Sequence, residues 1–401
     1  MKAIIVGGGI GGLATALALG QRGWQVEVLE RAAEFGEVGA GLSLWPNALR
    51  ALDLLGVGGS VRGHAGLAGQ AGIRTSTGRW LARTDAAELE RRYGPTAMIH
   101  RADLLGVLRA AVPGEALRGG ITVRAVRPDG MVTHSGGESS ADLIVGADGI
   151  RSVTRTSLFP GAAAPRYAGY TAWRMITPPV PVGDSGESWG SGERFGYAPL
   201  PDGRIYCFAT ANATAMAASA RAAATARAAA TARAAASAAG VDAVAGEADR
   251  ELDGLRRRFG GWHDPIPALL RAASPGAVLH DDLYELPPLR TYTAGHVVLI
   301  GDAAHAMTPN LGQGACQALE DAVVLGQVMD GRAGADIRAG LGAYDRVRRP
   351  RTQMIALRSH RIGRAAQWAS PVAVGLRNTA LRALPRSSFV RSLAPVLDWT
   401  G

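Results

Sequence analysis

The chain opens with the stretch that decides its fold, Lys2-Ala3-Ile4-Ile5-Val6-Gly7-Gly8-Gly9-Ile10-Gly11-Gly12. Residues 4–6 form a short apolar run, which is typical of a strand buried on both faces. The alanine- and leucine-rich residues 13–20 predict a helix, and residues 26–29 predict a second strand. This order of strand, helix and strand predicts a parallel sheet covered by helices.

The glycines between the first strand and the helix predict a dinucleotide site. Gly7 allows the tight turn, Gly9 lets a pyrophosphate approach the backbone, and Gly12 lets the helix pack closely. Glycine makes up 54 of the 401 residues, so a pattern of glycines with this spacing is expected by chance roughly once in the chain and is weak evidence alone. Its place before a helix N-terminus, and ahead of Glu30 at the end of the next strand, gives the pattern meaning. We expect Glu30 to accept hydrogen bonds from an adenosine ribose.

Outward from this stretch, residues 142–145 and 297–300 repeat the pattern of a buried strand. Within residues 166–210, residues 170–176 and 203–210 instead alternate aromatic and polar side chains, which predicts an antiparallel sheet with one exposed face. Helices are predicted at residues 45–56, 100–112 and 313–329, and a hairpin at residues 121–134.

The predicted fold class is α/β, with a discontinuous Rossmann-like domain, a second domain built on a mostly antiparallel sheet, and C-terminal helices. The first domain is assigned to residues 1–72, 96–165 and 280–350. The second is assigned to residues 73–95 and 166–279, and the C-terminal helical region to residues 351–401.

An alanine- and arginine-rich insertion at residues 213–240 lies within the second domain. Its repeat at residues 219–236 predicts an exposed helix, because alanine favours helix but offers no large apolar face. Two interpretations stay open, an inert expanded insertion and a lid or partner-binding arm.

The composition argues against several kinds of site. The net charge is +9, and Lys2 is the only lysine among 43 basic residues. A Walker A loop is excluded because no Gly-Lys-Ser/Thr tripeptide occurs, and a lysine Schiff base is nearly excluded. Cys207 and Cys316 lack a CxxC spacing, so neither a disulfide framework nor a metal site is predicted. No basic run is interleaved with aromatics, so nucleic-acid binding is not expected.

The sequence predicts a cytoplasmic protein without stable membrane insertion. No run of 18 uncharged apolar residues occurs, and the N-terminus reads directly as a strand rather than a signal peptide. The basic residues 350–401 are expected to pack as helices over the domain junction. Attachment of these residues to a membrane surface is the alternative.

Two further motifs follow buried strands, Gly146-Ala147-Asp148-Gly149-Ile150-Arg151-Ser152 and Gly301-Asp302-Ala303-Ala304-His305 with Pro309 and Gly312-Gln313-Gly314. With them the chain resembles the class A flavoprotein monooxygenases, the para-hydroxybenzoate hydroxylase-like family. The phrases at residues 40–48 (AGLSLWPNA) and 169–174 (GYTAWR) are most similar to the urate, salicylate and quinolone hydroxylase branch. The resemblance covers residues 1 to about 350 and contains all three motifs in order.

The resemblance implies a tightly but non-covalently bound FAD in the first domain. Asp302 would bind the ribityl chain, and Asp148 would support the cofactor and is associated with the nicotinamide reductant. Arg101 would reach the pyrophosphate, and Arg31 and Val123 would line the adenosine end.

The segment 312–314 opens a helix, whose N–H groups would stabilise the negative charge of reduced flavin. The complete set of expected cofactor-binding residues is Gly7, Gly9, Gly11, Gly12, Glu30, Arg31, Gly41, Ser43, Arg101, Val123, Asp148, Gly149, Asp302, Pro309, Gly312, Gln313, Gly314 and Ala315.

Substrate-site candidates come from the predicted antiparallel sheet. Arg204 and Tyr206 share a strand face with Phe208 by period-two spacing. In urate-hydroxylase-like members an arginine on the matching strand approaches flavin and substrate, so the resemblance makes Arg204 the first candidate. Arg174, Tyr197 and Pro309 complete the predicted catalytic set. His305 is interpreted as a structural histidine beside the flavin loop, with a catalytic base as the alternative.

The activity implied by the resemblance is hydroxylation of an aromatic or heteroaromatic small molecule by a flavin C4a-hydroperoxide. NADPH or NADH would be the transient reductant and O2 the co-substrate. Alternatives are an epoxidase or Baeyer–Villiger enzyme of the same fold, and a non-catalytic FAD-binding redox module. The expected assembly is a monomer or homodimer.

Overall fold

The computed structural model describes residues 1–35, 40–67, 72–183, 185–216, 247–334 and 336–401. The strands in these ranges are β1 (Lys2–Val6), β2 (Gln25–Leu29), β3 (Gly41–Leu44), β4 (Gly66–Leu67), β5 (Gly72–Thr75), β6 (Trp80–Arg83), β7 (Ala97–His100), β8 (Leu117–Arg118), β9 (Val123–Val126), β10 (Met131–His134), β11 (Gly137–Ser140), β12 (Leu143–Gly146), β13 (Arg166–Thr177), β14 (Gly186–Trp189), β15 (Glu193–Pro199), β16 (Ile205–Asn212), β17 (Leu279–Glu285), β18 (Thr293–Ala294) and β19 (Val297–Leu299).

The α-helices of the described ranges are α1 (Ile10–Gly20), α2 (Pro46–Leu54), α3 (Gly58–Gly63), α4 (Ala86–Tyr93), α5 (Arg101–Ala111), α6 (Val153–Leu158), α7 (Glu247–Phe259), α8 (Ile266–Ala272), α9 (Asp302–His305), α10 (Gly314–Met329), α11 (Asp336–Ala366), α12 (Pro371–Ala383), α13 (Arg386–Ser392) and α14 (Ala394–Leu397). Short 3-10 helices occur at Gly114–Ala116, Pro275–Ala277 and Pro309–Leu311.

The first sheet has six strands in the order β18-β19-β12-β1-β2-β8. Its strands run parallel except β18, and β1 pairs with both β2 and β12. The central strands are buried on both faces, which is why their sequences read as continuous apolar runs. The predicted strand-helix-strand start and parallel sheet are confirmed.

Helix α1 is buried along most of its length, between the first sheet and the helices α10 and α5. Small residues allow the close approach of α1 and α10. A Cβ on Gly326 would lie only 2.9 Å from the Cβ of Ala18. The alanine-rich composition of α1 therefore serves packing as well as helix formation.

The second sheet has seven strands in the order β17-β13-β16-β15-β14-β5-β6, and its neighbours are antiparallel except β14 and β5. β5 and β6 come from residues 72–83 and join β14 across a long stretch of chain. One face of this sheet forms a core with α7 and α8, in which Phe195, Phe259 and Leu269 are fully buried. The predicted α/β class with a mostly antiparallel second sheet is confirmed.

The C-terminal residues fold into the helices α11 to α14, as predicted. α11 is 31 residues long and passes through Pro350 without ending. Leu89 and Tyr93 of α4 pack against Ile355, Val390 and Leu397 of these helices. Within the described ranges, no helix combines the length and apolar character needed to cross a bilayer. The alanine- and arginine-rich repeat at 219–236 lies outside the described residues.

Candidate active site

A cavity of about 950 Å³ lies between the first sheet and the inner face of the second. Loops that follow β1, β12 and β19 form one wall, and strands β13, β15 and β16 contribute the other. The carboxyl ends of parallel strands therefore converge on the cavity, which is where open α/β sheets bind ligands.

The N-terminal glycine loop forms the floor of this cavity. Gly7 adopts a φ of +106°, which an L side chain rarely tolerates. A Cβ on Gly12 would lie 1.9 Å from the carbonyl oxygen of Gly7, so helix α1 can approach β1 only with glycine there. Gly9 faces open space in the cavity, because beyond its own chain neighbours no atom lies within 4 Å of the position that a Cβ would take. The loop thus leaves its backbone accessible where a phosphate would approach.

Glu30 holds the glycine loop and also lines the cavity. Its Oε2 accepts a hydrogen bond from the Gly8 N–H at 2.7 Å, and its Oε1 accepts one from the Ala32 N–H at 2.8 Å. A carboxylate has about four acceptor positions, so Glu30 retains capacity for a ribose hydroxyl.

The second motif is organised by Asp148. Its carboxylate accepts hydrogen bonds from the Ser152 hydroxyl at 2.6 Å and from the Thr154 N–H at 2.9 Å, so it fixes the start of α6. The sequence did not single out Arg155, which is buried and donates to the carbonyl of Ala303 at 3.0 Å. Burial lowers the pKa of Arg155 from its ordinary value. This contact joins the second motif to the third.

The third motif is held by a buried carboxylate. Asp321 of α10 accepts hydrogen bonds from the Gly301 N–H at 2.9 Å, from His305 Nε2 at 2.6 Å and from Arg348 Nε at 2.7 Å. Burial alone would raise the pKa of Asp321, but His305 and Arg348 hold it well below its usual range. His305 is buried behind the loop, and its Nε2 is engaged by this carboxylate, which agrees with the structural interpretation.

The N-terminus of α10 faces the cavity through Gly314 and Ala315. Just before it, Gly312 adopts a φ of +61°, and a Cβ there would lie 2.9 Å from Trp45 Nε1. The Gln313 side chain is buried. Its Oε1 accepts hydrogen bonds from Asn47 and Gln317.

These residues fit a dinucleotide with a flavin. Two helix N-termini, those of α1 and α10, face one elongated cavity, and Gly9 and Gly314 leave open space above their backbones. Such N-termini favour a pyrophosphate and an anionic ring. The buried Gln313 Nε2 is a donor without a hydrogen-bond partner among the described residues. With one exception, Gly12 under the loop, every expected cofactor-binding residue lines the cavity.

The opposite wall carries an arginine that the sequence analysis did not single out. Arg194 of β15 is only 4% exposed and lines the cavity. Its guanidinium donates to the carboxylate of Glu187 and to Asn310 Oδ1. Burial would lower the pKa of Arg194, but Glu187 raises it above the ordinary value, so the group stays charged. Asn310 follows Pro309 directly, so Arg194 touches the segment expected to face the flavin.

Two predicted substrate residues also line the cavity. Tyr206 packs its ring against Gly41, where a Cβ would lie 2.3 Å from the ring. Arg174 forms an ion pair with Asp281 at 3.3 Å. Burial raises the pKa of the Tyr206 hydroxyl, although the nearby Arg174 opposes this. Pro309 lies on the flavin-side wall, so three of the five predicted catalytic residues meet in one cavity.

Arg204 and Tyr197 do not line the cavity. Arg204 lies just before β16, and its half-exposed guanidinium pairs with Asp202 at 2.6 Å. The turn at residues 201–203 therefore satisfies the charge of Arg204 locally. Tyr197 lies on the opposite face of its strand and is buried in the core against α7 and α8.

Strand alternation explains the position of Tyr197 and could have identified Arg194. In β15, Phe195 and Tyr197 face the core, so Arg194 faces the cavity. Arg194 is paired in register with Thr210, which also lines the cavity. The signal in the sequence was a charged residue, Arg194, directly before Phe195 in a strand that is rich in aromatic residues.

Neither cysteine belongs to the cavity chemistry. Cys207 and Cys316 are both buried free thiols. Burial raises the pKa of Cys207 and raises that of Cys316 to about 12. The reactive thiolate is therefore disfavoured at both positions. In the described part of the chain, no group of three His, Cys, Asp or Glu side chains could hold a metal ion.

Comparisons with known proteins agree with this site. The family described as FAD binding domain matches residues 1–176 and 288–359. The chain is 36% identical to the aurachin C monooxygenase/isomerase of Stigmatella aurantiaca, over 95% of this chain and 94% of that protein. It is 33% identical to the 2-heptyl-3-hydroxy-4(1H)-quinolone synthase of Pseudomonas aeruginosa, over 97% and 95%.

A solved structure extends the likeness to three dimensions. The Klebsiella pneumoniae HpxO complexed with FAD and uric acid matches with a TM-score of 0.84 at 27% identity, covering 99% of this chain and 96% of that one. FAD is thus the cofactor of this chain, as expected, and the expectation of an enzyme is confirmed. The chain belongs to the class A FAD-dependent monooxygenases and is an enzyme of the aromatic hydroxylase type.

Proposed function

We propose that the enzyme hydroxylates a fused heteroaromatic ring that carries an ionisable oxygen, and that it binds this oxygen as an anion beside Arg194. The observation that carries the proposal is the burial of a charged guanidinium in the cavity wall, next to Asn310 of the segment expected to face the flavin. A buried cation is costly unless an anion compensates it. Glu187 supplies that anion, and the five N–H groups of a guanidinium leave donors for an anionic substrate oxygen beside the contacts with Glu187 and Asn310.

In this proposal the first sheet holds FAD. Glu30 would bind the adenosine ribose, Arg101 and the α1 N-terminus the pyrophosphate, and Asp302 the ribityl chain. The N–H groups at Gly314 would stabilise negative charge on the reduced ring. When bound and reduced by NADPH or NADH, FAD supplies the activation of O2 for transfer to the substrate.

The Arg194 side chain would act on the substrate rather than on oxygen. An oxyanion on the ring raises the electron density of the neighbouring carbon, which is the carbon that accepts an electrophilic oxygen. The guanidinium would stabilise that oxyanion through charge-assisted hydrogen bonds. Glu187 and Asn310 fix the guanidinium, so little reorganisation is needed when the substrate binds.

The rest of the wall suits an aromatic ring. Tyr206 and Phe208 line the cavity with ring centroids 6.2 Å apart. Leu279 and Met307 add apolar surface to the same cavity. Apolar walls of this kind exclude water from the reacting atoms, while a few polar groups set the orientation.

The names of relatives support a fused heteroaromatic substrate. The relatives include a 2-heptyl-3-hydroxy-4(1H)-quinolone synthase and a Klebsiella pneumoniae urate hydroxylase, which is 31% identical over 90% of this chain. Quinolone and urate rings are both bicyclic and carry oxygens that can ionise or tautomerise. We therefore place 4-hydroxyquinolines first among the candidate substrates.

The experiment measures substrate-stimulated NADPH and NADH oxidation, oxygen consumption and product mass. The substrates are 4-hydroxyquinoline, its 2-alkyl derivatives, urate and salicylate, with 4-methoxyquinoline as the matched compound without an ionisable oxygen. We expect stimulation and a product one oxygen heavier for a hydroxyquinoline but not for its methyl ether. Equal turnover of the ether would contradict the proposed oxyanion.

A pair of variants tests which arginine meets the substrate. Arg194→Gln removes a charge-assisted contact worth roughly 1.5–3 kcal/mol, so kcat/KM should fall about ten- to a hundredfold while FAD is retained. Arg271→Gln, at an exposed position on α8, is the control. Arg204→Gln tests the arginine that the sequence favoured. If it lowers kcat/KM and Arg194→Gln does not, the substrate lies at the start of β16 and our assignment is wrong.

The remaining expectations form part of this proposal. A cytoplasmic location is supported by the need for NAD(P)H and by two buried free thiols. The assembly is proposed to be a monomer or homodimer. The two sheets support a division into two domains, with residues 72–83 in the second sheet. The expected boundary at residue 280 was wrong, because β17 (Leu279–Glu285) pairs with β13 in the second sheet, so we propose that the first domain resumes after residue 285.

A further inference from the structure

An apolar stripe is exposed where α11 passes into α12. Trp368 lies in the link just before α12, and Val372 and Leu376, four residues apart on α12, project from one side of that helix. They are 39%, 82% and 66% exposed, and Leu384 beyond the end of α12 is 53% exposed. Large aliphatic side chains at such exposure, clustered rather than scattered, mark an interaction surface.

The same surface is strongly basic. Arg361 and Arg364 are exposed on the last two turns of α11, shortly before Trp368 in the chain. Residues 346–397 contain eleven arginines and no aspartate or glutamate. The acidic neighbour contributed by β17, Glu285, is already paired with Arg166 and His360. We call Arg361, Arg364, Trp368, Val372, Leu376 and Leu384 the C-terminal patch.

The C-terminal patch is attached to the substrate side of the cavity. The carbonyl of Trp368 accepts a hydrogen bond from the Gly192 N–H at 2.9 Å, and Gln367 Nε2 donates to the Thr210 hydroxyl at 2.7 Å. Thr210 lines the cavity, and Gly192 lies two residues before Arg194. The link between α11 and α12 is thus fixed to the outer side of the cavity wall.

A second connection runs through Trp189. The guanidinium of Arg377, the one buried arginine of α12, lies 5.3 Å from the centroid of this indole and donates to the Gly190 carbonyl at 3.0 Å. Arg194 lies 5.6 Å from the centroid of the same indole. Helix α12 and the substrate-binding guanidinium therefore share one aromatic neighbour.

We propose that the C-terminal patch docks on the surface of an anionic membrane. Trp368, Val372 and Leu376 would enter the interfacial region, and Arg361 and Arg364 would contact lipid phosphates. The alternative occupant is a second copy of this chain. A twofold dimer through this patch would bring the same arginines face to face, without acidic residues from 346–397 to pair with them. Charge therefore favours lipid.

Docking would place the substrate wall of the cavity beside the bilayer. This consequence rests on the proposed function. Proximity to the bilayer would favour aromatic substrates with alkyl chains that partition into lipid. Water-soluble substrates would gain nothing from it. The binding surface itself is independent of the reaction, so vesicle binding and turnover can succeed or fail separately.

The test is sedimentation of the FAD-loaded enzyme with vesicles. Vesicles of equimolar phosphatidylglycerol and phosphatidylcholine should bind the protein, and vesicles of phosphatidylcholine alone should bind it at least about tenfold more weakly, because they lack the anionic lipid that attracts arginine. Val372→Ser/Leu376→Ser and Arg361→Gln/Arg364→Gln should each weaken binding to the anionic vesicles about tenfold or more. Leu54→Ser, at a similarly exposed leucine on α2, should bind like the unmodified enzyme.

FAD content and melting temperature establish that each variant is folded. Turnover of a water-soluble aromatic substrate should be unchanged in the Val372→Ser/Leu376→Ser variant. Failure of the unmodified enzyme to bind anionic vesicles, or equal binding by the patch variants, would overturn the proposal. A dimer in solution that disappears in the serine variant would also overturn it and assign the patch to a second copy.

Discussion

Asp302 lies where the third motif leaves the sheet. Gly301 adopts a φ of +54°, and Asp302 begins α9 on the cavity wall directly after it. The Gly301 N–H is held by Asp321, so the position of Asp302 is set from inside the protein. The backbone at Asp302 is therefore fixed at the cavity wall, where we propose that its side chain binds FAD.

Replacing Asp302 by alanine should cost FAD retention. A hydrogen bond that involves a charged group is worth roughly 1.5–3 kcal/mol, so FAD should bind about ten- to a hundredfold more weakly. Flavin absorbance per protein after gel filtration measures the loss. Asp330→Ala, at an exposed position just after α10, is the matched control. A fully yellow, active Asp302→Ala enzyme would count against the assignment.

Among single residues, a larger share of the expected cofactor-binding set than of the expected catalytic set lines the cavity. The cofactor residues lie in local motifs, in which a turn and the helix after it are encoded together, so their convergence follows from a parallel sheet. Arg194 reaches the cavity through pairing with β16 and contact with Asn310, far away in sequence. Strand alternation favoured Arg204 as a residue of the cavity, but its guanidinium instead pairs with Asp202, two residues earlier in the turn. Local charge pairs of this kind are not apparent from periodicity.

The elements themselves were largely predictable because their patterns have clear periods. α1, α2, α5 and α10 begin and end within a few residues of the predicted bounds. The three-stranded sheet of β3, β7 and β4 was not predicted. Its short strands carry too few residues to show an alternation, and only their pairing with distant chain defines them.

Helix α1 provides a test of the glycine loop within one element. Gly12→Ala would put a methyl group 1.9 Å from the Gly7 carbonyl oxygen, which forces α1 away from β1. Overpacking of this kind costs roughly 1–3 kcal/mol or more, so the melting temperature and FAD content should both fall. Gly20→Ala lies on the same helix in open space and should be neutral or slightly stabilising, by up to about 1 kcal/mol. Equal behaviour of the two variants would show that close packing at Gly12 is unimportant.

Across the whole molecule, one buried network ties the C-terminal helices to the cofactor loops. Arg348 is fully buried and pairs with both Glu320 and Asp321, and Arg351 also binds Glu320. Arg351 in turn donates to the carbonyl of Val396. The network links the Gly301 turn, helix α10, helix α11 and the C-terminus, so loss of one member should be felt by the whole fold.

The network predicts a specific acid sensitivity. Burial by itself would raise the pKa of Glu320 and Asp321, but Arg348 keeps the pKa of Glu320 below its usual value, and His305 together with Arg348 does so for Asp321. Because the folded pKa values are depressed, this stabilisation is complete above the unfolded values near about 4 and is lost as the pH falls below them. Asp321→Asn should cost about 3 kcal/mol at neutral pH, since Arg348 loses a partner.

The melting temperature of Asp321→Asn should then fall less steeply than that of the unmodified enzyme on going from about pH 6 to about pH 3. Asp53→Asn removes the exposed ion pair with Arg62 and should change neither the melting temperature nor its dependence on pH appreciably. Parallel pH curves for Asp321→Asn and the unmodified enzyme would contradict the role of this carboxylate in acid unfolding.

The strand order of the first sheet has a consequence during synthesis. β1 can pair with β2 as soon as residue 29 is available, but its other edge waits for β12, and β12 waits for β19, which ends at residue 299. At a synthesis rate of about 5–20 residues per second, the edge of β1 that later pairs with β12 stays unpaired for on the order of ten seconds. We therefore expect the nascent chain to depend on chaperones until its last parallel strand emerges, and yield in expression to respond to slower translation.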